Sequence, residues 1–214
     1  MENNKDIIRI GYAYDKAFCF YYQENLHLLE KMGATLIPFS PLEDVTIPKN
    51  LDGLLLGGGY PEVYARELEE NSSMRKSILE AIHAGMPCIA ECGGFMYLHE
   101  RMQGKDEEWY EMVGAIEGES FKTNRLVRFG YVTVKANEET TYSSKEEELR
   151  GHEFHYWDSS NTGSDYTATK TSSAITYPTM HAKNNLLAGY PHFYYYSNPD
   201  FVRRFIESCR KRWR

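Results

Sequence analysis

Hydrophobic and polar positions along the first hundred residues switch between two periods. Residues 7–12 are a short apolar run, residues 34–39 a second one broken by Pro38 and Pro41, and residues 51–56 a third that reads as fully buried. Between them, residues 22–32 carry Leu26, Leu29 and Met32 at helical spacing and stop at Gly33, while residues 74–84 form another helix closed by Gly85. Residues 87–91 read as a fourth strand, which delivers Cys92. Strands that alternate with helices at this spacing predict an α/β domain with a mostly parallel sheet covered on both faces, and sites beyond the carboxyl ends of its strands.

The second half has a different pattern. Residues 112–121, 129–136, 149–157 and 166–169 look strand-like with few helix signals between them, predicting added antiparallel strands. Residues 137–148 are polar and acidic and read as an exposed loop, and residues 185–196 return to an apolar, aromatic strand-and-turn pattern. Asn198-Pro199 caps a final helix that runs to about Arg212, with Phe201, Phe205 and Ile206 on its inner face. No internal repeat, low-complexity segment or domain boundary stands out, so residues 1–214 read as one domain.

The chain of 214 residues is 42% hydrophobic and 26% charged, enough to bury a real core. Its net charge of −7 gives no general nucleic-acid surface. The polar start Met1 to Asp6 and the short run after it read as neither a secretory nor a membrane segment. Cys19, Cys88, Cys92 and Cys209 show no zinc-like pairing and no disulfide-framework density, which points to a reducing cytoplasm.

The densest chemistry lies in Ala90-Glu91-Cys92-Gly93-Gly94-Phe95. A strand running into a cysteine, two glycines and a helical pattern is how a nucleophile elbow is written. A thiol there stands at a helix start, where unpaired N–H groups and the helix dipole favour a thiolate. The same run also suits a tight turn around an inert cysteine. Gly57-Gly58-Gly59 after a buried strand lets backbone approach a ligand, and its N–H groups can form half of an oxyanion hole, the N–H after Cys92 supplying the rest. A thiolate needs a base, and His192 in Tyr190-Pro191-His192-Phe193 is the best placed of seven histidines. His27, His83 and His99 fall on expected helices and read as partly exposed, and His181 sits in a polar loop. The run His152-Glu153-Phe154-His155 lacks the spacing of a helical metal motif, so no metal is expected. On a strand Glu153 and His155 share one face and His152 takes the other; the pair either orients a polar substrate or is structural.

In this order, Gly-Gly-Gly-Tyr-Pro-Glu (57–62), Ala-Glu-Cys-Gly-Gly-Phe-Met-Tyr-Leu (90–98), Gly-His-Glu-Phe-His-Tyr (151–156) and Tyr-Pro-His (190–192) ahead of Ser-Asn-Pro (197–199) resemble the C-terminal glutaminase domain of cobyrinic acid a,c-diamide synthases. The likeness spans nearly the whole chain from Ile7 to the last helix. It implies a flavodoxin-like class I glutamine amidotransferase fold and release of ammonia from glutamine, for amidation of the a and c carboxylates of a corrinoid. It makes Cys92 the nucleophile and His192 its base, puts Gly93, Gly58 and Gly59 at the oxyanion, and gives Glu153 and His155 a supporting role. The wider class I group has a Glu two residues after this histidine; here the position is Tyr194, and the cobyrinate branch also lacks it. The resemblance implies that ATP and magnesium act on a synthase domain or subunit, since no Gly-x-x-x-x-Gly-Lys-Ser/Thr run occurs in this chain. The partners implied are glutamine, that synthase and the corrinoid it holds. Another cysteine hydrolase on the same scaffold, or a non-catalytic binding domain, remains open from sequence.

Overall fold

The computed structural model describes residues 7–211; the polar start 1–6 and residues 212–214, with Arg212 at the expected end of the last helix, lie outside the described residues. The chain opens with β1 (Ile8–Ala13), β2 (Phe18–Phe20), α1 (Gln23–Lys31), β3 (Ala34–Phe39), β4 (Gly53–Leu56) and the two-residue β5 (Gly58–Gly59). Then come α2 (Ala65–Glu70), α3 (Ser72–His83), β6 (Cys88–Glu91) and the short α4 (Gly93–Tyr97). The second half holds β7 (His99–Gln103), β8 (Trp109–Glu111), β9 (Ile116–Lys122), β10 (Arg128–Ala136), β11 (Glu148–His155) and β12 (Trp157–Ser159). It closes with β13 (Tyr166–Lys170), β14 (Thr176–Thr179), β15 (His181–Lys183), β16 (Leu186–Gly189), β17 (His192–Phe193) and α5 (Pro199–Lys211).

A six-stranded sheet in the order β15-β16-β6-β4-β1-β3 forms the centre. All its pairings are parallel except β15 with β16. Side chains alternate across it with period two. Leu54, Leu56, Cys88 and Ala90 enter a core with α2, α3 and α4. Leu55, Ile89 and Leu187 enter the opposite core with α1 and α5. This two-faced burial explains why these strands read as unbroken apolar runs.

The antiparallel half forms two further sheets, β14-β13-β10-β11-β17 and β12-β9-β7-β8. Val132, Val134 and Ala136 of β10 pack into the α5-side core, so alternate residues Phe129 and Tyr131 face outward. α5 begins where expected: the Asn198 side chain accepts from the Phe201 N–H at 3.3 Å. The expected helix 74–84 starts two residues earlier, with Asn71 accepting the Met74 N–H.

Three expectations are corrected. His99 lies not on a helix but at the start of β7, fully buried, its Nε2 2.6 Å from the Ser159 hydroxyl and its Nδ1 3.0 Å from the Phe95 carbonyl. α4 stops after five residues, because its continuation would remove β7 from the sheet it shares with β9. The loop 137–148 is exposed only in part: Tyr142 is buried against Phe201 and Phe205, which pins the loop to α5.

Candidate active site

Two neighbouring strands end together and carry the two key residues. β6 and β16 run parallel with Glu91 opposite Gly189, and the Cys92 N–H donates to the Gly189 carbonyl at 2.8 Å. Cys92 follows β6 directly. Three residues beyond Gly189 the chain has left the central sheet, and His192 pairs with His152 on β11. Pro191, with no N–H to offer a ladder, sits at this crossing between sheets. His192 therefore leans back over the end of β6. Both Cys92 and His192 line a cavity of about 440 Å³, with Cys19, Phe20, Gly59, Tyr60, Phe129, His152 and Phe154.

Cys92 holds φ 49° and ψ −104°, a conformation a side chain rarely adopts. Such backbone costs on the order of 1–3 kcal/mol and persists only where surroundings impose it. The imposing contacts are visible at the next two glycines. A Cβ on Gly94 would lie 2.0 Å from the Leu56 carbonyl oxygen, and one on Gly93 would lie 2.9 Å from Pro61 and 3.1 Å from the Gly59 nitrogen. The elbow is thus packed directly against the glycine turn after β4, which brings the backbone of Gly59 and Gly93 together. Gly58 serves a different contact: a Cβ there would stand 2.3 Å from His192 Cε1.

The electrostatics of the site oppose charge. Burial pushes the Cys92 thiol up to about 12, with the carboxyls of Glu62, Glu153 and Glu91 adding in the same direction and the Gly93 N–H acting against them. Desolvation therefore works against the thiolate expected at a helix start, where only one short helical turn favours it. Burial lowers His192 to about 3, reinforced by His152 and His155. Burial likewise raises Glu91 to about 8 and Glu62 to about 7. The resting pair is a neutral thiol and a neutral imidazole.

Glu153 and His155 lie on the other side of β11 from that cavity. Glu153 accepts the Tyr177 hydroxyl, and the Arg128 guanidinium sits 4.2 Å from the Tyr177 ring centre. The His155 ring stacks on Tyr190 at 3.7 Å and 4°, with Nδ1 2.6 Å from the Trp157 carbonyl. His155 thereby braces Tyr190, two positions before His192, from behind, while Glu153 is held by Tyr177. The residues of this strand that reach the cavity are His152, which the sequence set on the opposite face without a role, and Phe154. Alternation separated the two faces; nothing local says which one meets Cys92. Cys19, Phe20, Phe129 and Phe154 were missed for the same reason. His181, on β15, lies outside the cavity with its Nε2 2.9 Å from the Asn161 carbonyl. Among the described residues, no group of three or more His, Cys, Asp or Glu side chains is arranged to hold a metal ion.

A parallel sheet, an elbow cysteine at a strand end and a late histidine beside it define the class I glutamine amidotransferase fold. Solved structures agree: PurLQS from Thermotoga maritima superposes with a TM-score of 0.63 at 15% identity, covering 97% of this chain and 99% of that one. A further glutamine amidotransferase superposes at 0.59 and 14% identity, covering 94% and 98%. Within that class, the model of the CobB/CobQ-like glutamine amidotransferase domain matches residues 9–200, and the chain belongs to this family. Curated relatives include cobyrinate a,c-diamide synthase of Caldanaerobacter subterraneus subsp. tengcongensis, 41% identical over 94% of this chain and 45% of the relative. That of Listeria innocua is 44% identical over 95% of this chain and 46% of the relative. The chain spans about half the length of the curated relatives it matches.

Proposed function

We propose that this chain is the glutamine-hydrolysing part of a cobyrinate a,c-diamide synthase, releasing ammonia for amidation of corrinoid a and c carboxylates. The observation that carries the reading is a strained elbow cysteine and a buried histidine lining one cavity, in a chain of the CobB/CobQ-like family. Cys92 attacks the side-chain amide carbon of glutamine while His192 takes the thiol proton, so that no free thiolate has to exist beforehand. The N–H groups of Gly93 and the Gly58–Gly59 turn hold the tetrahedral oxyanion, each donor contributing about 3 kcal/mol. His192 returns the proton to the leaving nitrogen, and ammonia departs from a Cys92 thioester. Water, deprotonated by His192, then releases glutamate and restores the thiol. His155 supports the site by fixing Tyr190, and with it the approach to His192, and Glu153 supports the same strand through Tyr177.

ATP and magnesium belong, on this reading, to the synthase domain or subunit that activates the acceptor and receives the ammonia. The rim of the cavity supports such a partner. Tyr60, Phe129 and Phe154 are exposed at its mouth, and Tyr131 and Tyr156 extend the same face outward. Single exposed aromatics need no explanation, but a contiguous group around a reactive site marks an interaction surface. The cytoplasm is the natural compartment for free thiols at Cys19 and Cys92.

Purified chain given glutamine should release glutamate, and Cys92→Ala should lower the rate at least about 1000-fold. Wild-type turnover in Cys92→Ala overturns the mechanism.

A further inference from the structure

His192 lacks the orienting carboxylate that a catalytic imidazole ordinarily has. Two residues on stands Tyr194, 43% exposed, with its ring 6.3 Å from Tyr22 and 5.9 Å from Tyr196. It does not face the His192 ring. Yet His192 Nδ1 is buried and makes no hydrogen bond. A buried donor left without an acceptor is unfavourable, so native structures rarely keep one.

One carboxylate faces that nitrogen. Glu91, the last residue of β6 and the neighbour of Cys92, places Oε2 4.0 Å from His192 Nδ1. Its other oxygen accepts the Phe193 N–H at 3.3 Å, which anchors the carboxyl to the residue after the histidine. We propose that Glu91 is the positioning residue of His192, supplied from the strand that delivers the nucleophile. This inference rests on the glutaminase reading and deepens it.

The chemistry is consistent at each atom. With Nδ1–H directed at Glu91, Nε2 is the nitrogen that takes the Cys92 proton. As the S–C bond to the amide carbon forms and the S–H bond breaks, the new imidazolium charge lies beside the Glu91 carboxylate, and no proton leaves Glu91. The competent form is the ionised one, which burial disfavours below about pH 8. Other groups bear on this pair. Tyr195, Tyr21 and Tyr22 interact with Glu91 from their own segments. His152 and His155 on β11 act on His192, and Glu62 and Glu153 act on Cys92. A comparison of wild type with a Glu91 variant therefore isolates Glu91 from these neighbours.

The test has two arms on the full chain. In Glu91→Gln, kcat for glutamine hydrolysis should fall about 100-fold, with KM within about 2-fold, and the rise in kcat through about pH 8 should disappear. In wild type at pH 9, nitrogen-15 NMR of histidine-labelled protein should find His192 protonated at Nδ1. A Glu91→Gln enzyme with wild-type kcat and an unchanged pH profile overturns the proposal, as does a His192 protonated at Nε2. If wild type does not turn over glutamine, the glutaminase reading fails, and the NMR arm still decides Glu91. The same arm decides if circular dichroism finds Glu91→Gln unfolded.

Discussion

Glycine contacts at the site divide by what a methyl group would strike. At Gly58 it would meet the His192 ring at 2.3 Å, whereas at Gly94 it would meet the backbone carbonyl of Leu56 at 2.0 Å. A ring at the end of a side chain can rotate away; a sheet carbonyl cannot. Gly58→Ala is therefore expected to fold, with a melting temperature near wild type, and to lose at least about tenfold in kcat because His192 is displaced from near-attack geometry. Gly94→Ala is expected to unfold at lower denaturant by roughly 2–4 kcal/mol, in the range of severe core overpacking. Chemical denaturation beside glutamine assays separates the two outcomes. Both glycines are plain in the sequence; which one makes room for His192 and which one for the sheet is a matter of contacts across distant segments.

At the scale of elements, the crossing from β16 to β17 does the assembling. Four residues of central sheet, a Tyr-Pro step and two residues of the second sheet bring His192 beside His152 and over Cys92. The stacked Tyr190–His155 pair holds this crossing in place. His155→Ala should lower kcat about tenfold or more through a misplaced His192, while Cys92 still reacts with a glutamine-analogue electrophile; loss of both kcat and labelling would place His155 in the fold instead. The final helix offers a structural counterpart. Asn198 caps α5 and its amide also donates to Glu147 at 2.6 Å, so Asn198→Ala should reduce stability by about 1–2 kcal/mol without changing kinetics, as read by urea melts. That cap was legible because Asn-Pro before an amphipathic run is a local signal. The shift of His99 from helix to strand was not legible, because the sheet partner that ends α4 lies beyond Gly114 in sequence.

For the molecule as a whole, buried ionisable groups set the response to pH. His99 and His155 are lowered to about 4 and His192 to about 3 by burial. Each contributes stability that is present above the unfolded histidine value of about 6.5 and is lost as pH falls through the folded value. Glu91 and Glu62 are raised to about 8 and about 7, so their contribution is present below about 4.5 and is lost as pH rises through those values. The two sets oppose each other between about pH 4.5 and 6.5. With three histidines against two carboxyls, the melting temperature should rise gently with pH there, fall further on the acid side with the histidines, and fall between about pH 6.5 and 8 with Glu62 and Glu91. Glu91→Gln should flatten that alkaline fall; an identical slope would refute the assignment. The aromatic face makes a separate expectation: Tyr131→Ser with Tyr156→Ser should leave glutamine hydrolysis intact and weaken coupled amidation by the synthase.

The chain itself determined what depends on short-range order: the alternation of strands and helices, the buried strands of the parallel half, the elbow at Cys92, the glycine turn before it and the cap on α5. These follow from side-chain period and backbone freedom within a few residues. Tertiary structure alone decided that β11 turns His152 toward the cavity of Cys92 and Glu153 away, that burial of the elbow works against a charged thiol, and that Glu91 faces the free nitrogen of His192. Each of those depends on which surfaces meet and on how much water they exclude, and neither quantity exists until strands far apart in the sequence have packed together.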